Sequence, residues 1–140
     1  MTEFKKINDQ LSVFGQISTA DLTAAVQQGF KTVVNNRPDG EAEDQISNLE
    51  LEHAAKALGL EYHYLPIAPA GIEDSQADQF ASLFKQKPGP VLAFCRTGNR
   101  STRLWALSHC QQLSSADILQ QAQQAGYDIS GLLDRINSRK

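Results

Sequence analysis

Cys95-Arg96-Thr97-Gly98-Asn99-Arg100-Ser101 places a soft nucleophile, a glycine, a forked cation and a hydroxyl within one short stretch. The thiolate, not the thiol, is the reactive form of cysteine, and an unperturbed pKa of about 8.5 leaves only a few per cent of it at neutral pH. The residues that follow are those that would raise that fraction. Gly98 lets backbone N–H groups converge on one point, and Asn99 or Arg100 opens a helix whose N-terminus carries roughly half a positive charge. Together with a guanidinium, these features are expected to favour the thiolate over the thiol. Arg100 has the planar fork that grips a tetrahedral oxyanion through two hydrogen bonds, and the Ser101 hydroxyl is placed to bond the sulfur and ease its departure. Arg96, Thr97, Gly98 and Asn99 would form the rest of the substrate cradle. The chemistry implied is covalent catalysis at Cys95 on a small anion. The plainer reading, a buried cysteine filling space at a strand end, is outweighed by the glycine, arginine and serine beside it. Cys110 gets the opposite reading, because it shares a helix face with Leu104, Leu107 and Leu113 and belongs in the core.

Such a loop needs a strand before it and a helix after it. Val91-Leu92-Ala93-Phe94 reads as a buried strand that delivers Cys95 to its C-terminal end, where open α/β sheets place their sites. Further strands are expected near 10–14, 31–35 and 61–66, the last of four at 90–95. Helices are expected from Ser18 or Thr19 to Gly29 with Leu22, Ala25 and Val26, and from Ser47 to Gly59 with Leu49, Leu51, Ala54, Ala55 and Leu58. A third spans about Asp74 to Lys85 with Ala77, Phe80, Ala81 and Phe84. A fourth follows Cys95, and 115–124 and 129–138 complete the set. Short β-branched runs alternating with amphipathic segments predict a single α/β domain over 1–140, with a mostly parallel central sheet of four to five strands flanked by helices.

Composition narrows the function classes. The chain has 13 Lys+Arg against 16 Asp+Glu, a net charge of -3, with both signs scattered. Nucleic acid and membrane surfaces are therefore not expected partners. Two distant cysteines form neither a disulfide framework nor a zinc pattern, and His53, His63 and His109 are dispersed, so no metal or cofactor is expected. MTEFKKINDQ lacks a signal-peptide core, and no run approaches the roughly 20 apolar residues of a membrane span. A cytoplasmic, soluble protein acting on a small anionic substrate is the expectation; no oligomeric state is read from the sequence.

The loop resembles those of protein tyrosine and dual-specificity phosphatases and of rhodanese sulfurtransferases, and the chain resembles the phosphatase-like domain family of beta-lactamase hydrolase-like proteins. The segments that carry this likeness run from Ser12-Val13-Phe14-Gly15-Gln16-Ile17-Ser18 through Gly29–Glu41, with its Asn35-Asn36-Arg37-Pro38-Asp39-Gly40, to Gly89–Cys95 and Leu104-Trp105-Ala106-Leu107. The resemblance implies a dual-specificity-phosphatase-like fold, Cys95 as nucleophile and Arg100 as anion holder. Two details differ. Tyrosine-type phosphatases place five residues between cysteine and arginine, whereas Arg96, Thr97, Gly98 and Asn99 make four, the spacing of many single-domain rhodaneses. Those phosphatases also carry an aspartic acid on a preceding loop, and Pro66-Ile67-Ala68-Pro69-Ala70-Gly71 holds no carboxylate. Glu73, Asp74 and Asp78 are the possible substitutes, with helix capping and first-turn charge as their alternative work.

An alkoxide leaving group needs a positioned acid worth about 100- to 10,000-fold, whereas sulfite leaving thiosulfate needs no proton. The sequence expectation is accordingly sulfur transfer through a Cys95 persulfide, taken from thiosulfate or another persulfide donor. A phosphatase cleaving phosphate esters through a phosphocysteine is the alternative. A non-catalytic module binding an anion or phosphorylated partner is the third reading, and it has no use for a reactive sulfur. Arg37, beyond the strand at 31–35, either adds positive charge to the pocket or pairs with Asp39 or Glu41. Arg96 and Arg103 are otherwise rim residues, and Trp105, Phe80 and Phe84 belong to helical core stripes.

Overall fold

In the computed structural model, which describes residues 2–87 and 89–140, five strands form one sheet in the order β1-β2-β5-β3-β4. These are β1 (Lys5–Asn8), β2 (Leu11–Phe14), β3 (Thr32–Asn35), β4 (Glu61–Tyr64) and β5 (Val91–Phe94). All pairings are parallel except the β1–β2 hairpin. Four of these strands match the sequence expectation to within a residue or two at their ends. The edge strand β1 was not legible: of Lys5-Lys6-Ile7-Asn8 only Ile7 is buried, so no alternation marks it. Its turn is set by Asn8, whose Oδ1 accepts from the Gln10 and Leu11 amides at 2.9 and 3.2 Å.

Helices cover both faces, as a buried parallel sheet requires. On one side α1 (Thr19–Gln27) and α2 (Asn48–Ala57) bring Leu22, Ala25, Leu51 and Ala55 against Val33, Leu92 and Phe94. On the other side α3 (Asp74–Gln86), α4 (Asn99–Ser108), α5 (Ser115–Gln124) and α6 (Leu133–Ser138) pack Phe80, Leu104, Trp105 and Ile118 against Val34, Val91 and Ala93. Adjacent strand residues thus serve opposite layers, the period-two rule at work. Ser18, Ser47 and Ser114 cap α1, α2 and α5 by accepting an amide three residues on. The apolar faces of α1 and α2 are narrower than the sequence suggests, since Val26, Leu49 and Leu58 are exposed. The segment expected as one helix over 129–138 begins as a 3-10 turn, Ser130–Leu132, before α6. Cys110, Trp105 and Phe80 are buried as expected. No described helix is long and apolar enough to cross a membrane.

The parallel register decides where chemistry can gather. Phe94 pairs with Phe14 on one side and Asn35 on the other, so Gly15, Asn36 and Cys95, the residues just past each strand, emerge at one level. There β2 and β3 lead into α1 and α2 on one face while β5 leads into α4 on the other, which opens the crevice typical of α/β sites.

Candidate active site

Cys95 follows β5 without a break, its amide bonded to the Phe14 carbonyl at 3.3 Å. The chain then turns through Arg96 and Thr97 to Gly98, which takes φ +92° and starts α4 as its N-cap. That left-handed conformation aims the Gly98 N–H back at Cys95 Sγ, 3.1 Å away. Cys95 has no solvent-exposed surface, yet its sulfur is not sealed in hydrocarbon: an amide meets it, and the guanidinium of Arg100, the second residue of α4, lies close enough for the two to interact. Thr102 ties the first turn of α4 to the loop, its Oγ1 donating to the Gly98 carbonyl at 2.8 Å.

Arg100 is held from two sides. Its Nη1 and Nη2 donate to the two carboxylate oxygens of Glu41 at 2.8 Å each, and Nη1 also donates to the Ile67 carbonyl at 2.8 Å. Glu41 simultaneously accepts from Arg37 Nε at 3.0 Å, and Arg37 Nη1 donates to Gln16 Oε1 at 3.0 Å. Of the two sequence readings of Arg37, the pairing with Glu41 is the one seen, and Glu41 bridges it to Arg100. The hydrogen bonds from Arg100, aided by Arg37 and the charges of both, hold the Glu41 carboxyl down at about 2, against the opposing effect of burial. Glu41 in turn raises the Arg100 pKa further. One carboxylate against two guanidiniums leaves the cluster with net positive charge, and its Arg100 interacts with Cys95.

The remaining loop residues separate. Arg96 and Thr97 point to solvent, and Asn99 is half-buried. The Arg96 backbone carbonyl accepts from the Gln16 amide at 3.2 Å, an approach so close that a Cβ on Gly15 would stand 3.0 Å from that oxygen. Ser101 departs from expectation. Its hydroxyl donates to Asn36 Oδ1 at 2.8 Å instead of to the sulfur, because the β3 end brings Asn36 within reach, where its own amide nitrogen is engaged by the Leu65 carbonyl. Arg103 is exposed, as a rim residue should be.

The carboxylates named as possible proton donors are engaged elsewhere, in the capping and charge pairing that was their alternative work. Asp74 bonds Arg135 and Arg139 at 3.1 and 3.2 Å, Asp78 bonds Arg139 at 2.9 Å, and Glu73 is the N-cap of α3. No group of three His, Cys, Asp or Glu among the described residues can hold a metal ion. A hollow of about 380 Å³ lined by Asp9, Phe84, Lys87 and Val91 opens at the opposite, N-terminal end of β5. It gathers no comparable set of anion donors, so position and chemistry both favour the Cys95 end.

Sequence reasoning missed three contributors. Glu41 figured only as a partner for Arg37, although its position past β3 was the available signal. Gln16 and Tyr127 carried none. Tyr127, in the turn after α5, donates its hydroxyl to the Thr97 carbonyl at 3.0 Å and lies against Gly98. A Cβ on Gly98 would stand 2.1 Å from that hydroxyl oxygen. Gly98→Ala is therefore expected to cost about 2–3 kcal/mol in urea unfolding, from left-handed strain and displacement of Tyr127. An unchanged unfolding midpoint would contradict this geometry.

Comparison with known proteins agrees with the fold. A model of the beta-lactamase hydrolase-like protein, phosphatase-like domain, matches residues 3–113. A beta-lactamase hydrolase-like protein of Agrobacterium fabrum is 32% identical over 126 residues, 89% of this chain but only 29% of the relative. The chain thus spans less than a third of that relative's length. Among solved structures, a Neisseria meningitidis protein provisionally called a phosphatase superposes with a TM-score of 0.87 at 29% identity, covering 98% of both chains. The active form of Tk-PTP gives a TM-score of 0.72 at 18% identity, covering 96% of this chain and 93% of that one; at that identity the likeness speaks to fold alone. These names are of phosphatases and hydrolase-like proteins, and they lend the sulfur-transfer expectation no support. A thiol-bearing loop at the C-terminal end of β5, a tyrosine-phosphatase-type sheet around it and the family match agree: this chain belongs to the phosphatase-like domain family of the beta-lactamase hydrolase-like proteins.

Proposed function

We propose that the domain is a cysteine-thiolate enzyme acting on small oxyanions, with Cys95 as nucleophile and Arg100 as anion holder. Arg96, Thr97, Gly98 and Asn99 present the loop backbone to the substrate, and Arg37 adds positive charge through Glu41. The reaction we favour is sulfur transfer. Cys95 S⁻ attacks the outer sulfur of a thiosulfate-type donor, the S–S bond of the donor breaks, and sulfite leaves with the electron pair. The persulfide Cys95–S–S⁻ then gives its terminal sulfur to a thiolate or cyanide, which regenerates Cys95 S⁻. No proton is required in either half.

The observation that carries this preference is the state of Glu41. It is the carboxylate that reaches the loop, and two arginines keep it ionised far below neutral pH. A group so held cannot protonate an alkoxide. The phosphatase reading has its own support in the family and in the fold neighbours. In it Cys95 forms a phosphocysteine that water hydrolyses, Arg100 neutralises the equatorial oxygens, and leaving groups that depart without a proton, such as aryl oxides, are handled best.

The discriminating experiment incubates the protein with thiosulfate and cyanide, and separately with an aryl phosphate. Sulfur transfer predicts thiocyanate release and, before cyanide is added, a mass gain of one sulfur atom on the Cys95 peptide. Phosphate release that depends on Cys95, without thiocyanate, would replace sulfur transfer by phosphate ester hydrolysis. Neither product, with the loop still binding sulfate, would leave a binding module.

A further inference from the structure

The peptide unit joining Thr97 to Gly98 is gripped at both ends. Its N–H points to Cys95 Sγ at 3.1 Å, and its carbonyl, which a planar trans peptide directs the opposite way, accepts the Tyr127 hydroxyl at 3.0 Å. We propose that Tyr127 is a positioning residue for Cys95: its hydrogen bond holds the Thr97–Gly98 peptide with the N–H on the sulfur and strengthens that donor. This inference rests on the reading of Cys95 as a thiolate nucleophile and extends it to a segment outside the family match, which ends at residue 113.

Two physical effects combine. A peptide in a turn, here between exposed Thr97 and buried Gly98, can rotate as a unit, and rotation would turn the carbonyl oxygen toward the sulfur, repelling a negative charge. The Tyr127 bond opposes that rotation. A hydrogen bond accepted at the carbonyl also polarises the peptide, so its N–H becomes a better donor to an anion. Gly98 is what permits the contact, since a side chain there would occupy the place of the Tyr127 hydroxyl.

Tyr127 is itself well anchored. Gly126 takes φ +100° after α5, the Tyr127 amide returns to the Ala122 carbonyl at 2.9 Å, and buried Ile129 pins the following residues to the core. Burial raises the Tyr127 pKa, and the neighbouring Cys95 charge raises it further, so the phenol keeps its proton and remains a donor. The other charged groups around the sulfur are Arg100 from α4 and, behind it, Glu41 and Arg37 from the loop after β3. None of these touches the Thr97 carbonyl, so Tyr127→Phe leaves them in place.

The test is the pH profile of Cys95 alkylation by iodoacetamide, followed by peptide mass spectrometry in wild-type protein and Tyr127→Phe. Wild-type Cys95 should react at pH 6 much faster than Cys110. In Tyr127→Phe the rate at pH 6 should fall about 3- to 10-fold, the size of one net hydrogen bond. Its high-pH plateau and melting temperature should stay at wild-type values. Superimposed profiles would overturn the proposal, as would equal slowing at every pH with a lowered melting temperature, which would make Tyr127 a structural prop. If wild-type Cys95 itself reacts no faster than Cys110 at pH 6, the nucleophile reading fails first and the role of Tyr127 falls with it.

Discussion

Cys95→Ser is expected to lower kcat/KM by at least about 10,000-fold in whichever reaction the domain catalyses, while leaving its unfolding curve nearly unchanged. Serine fits the same space, and its oxygen can accept the Gly98 N–H that now bonds the sulfur. What it cannot do is ionise. The dipoles and the guanidinium at the loop can stabilise an anion by a few kcal/mol, enough for a thiol and far short of what an aliphatic alcohol needs. For sulfur transfer the loss should be complete, because oxygen cannot carry the persulfide. The measurement is steady-state kinetics with thiosulfate and cyanide, together with the mass of the thiosulfate-treated protein. Retention of more than a few per cent of activity would remove Cys95 from the centre of the mechanism.

The second large effect is expected from Glu41→Gln, which should destabilise the fold by about 3 kcal/mol at pH 7, the lower end of the cost of breaking a buried ion pair from one side. The side chains of Arg37, Glu41 and Arg100 are only 7%, 17% and 15% exposed. The variant would keep two near-buried guanidiniums with no anion between them. A glutamine oxygen can accept from one of them, but its NH₂ group then faces the other, donor against donor. Arg37 retains Gln16, and Arg100 retains the Ile67 carbonyl, which is why the cost stays near the low end.

The pH dependence follows from the depressed carboxyl. Glu41 titrates near 2 in the folded chain, against a usual value of 4.5. Its contribution is therefore fully present above about pH 4.5 and fades as the pH falls toward 2. The stability gap between wild type and Glu41→Gln should be constant from pH 7 to about 5 and shrink below that. Asp21, Asp74 and Asp128 also titrate low, but they are common to both proteins and cancel in the difference. Urea unfolding at pH 7, 4 and 3 measures this, and an equal gap at pH 3 and pH 7 would refute the double clamp. Sulfate should recover part of the loss in the variant more than in wild type, since an added oxyanion can neutralise the guanidiniums that have lost their carboxylate.

The clamp also bears on the choice between reactions. Phosphate ester hydrolysis with alkyl leaving groups asks for a protonated acid at the loop, whereas Glu41 is committed to Arg37 and Arg100 there, and Asp74 and Asp78 are bound to Arg135 and Arg139 elsewhere. Arg100, the proposed anion holder, is in turn fixed by Glu41 before any substrate arrives. It pays little entropy on binding.

Much of the molecule was legible in the amino-acid order because its causes are local. An apolar run that ends in cysteine, a glycine three residues on and a helix immediately after are neighbours in the chain, so the loop and its place at a strand end could be read directly. The same holds for the serine caps and for the alternation that puts Val33 and Val34 in different layers. Other features depend on residues distant in sequence. Glu41 meets Arg100 across 59 positions, and Tyr127 meets Thr97 across 30; neither separation leaves a periodicity or a motif. Ser101 carries a hydroxyl that either the sulfur or Asn36 could have received, and the parallel register of β3 against β5 awarded it to Asn36. Strand β1 is defined by pairing with β2 and not by its own residues. The proposed nucleophile and its loop thus lie in one short segment, whereas the electrostatic setting of that cysteine arises where three strand ends and a distant tyrosine are brought together by folding.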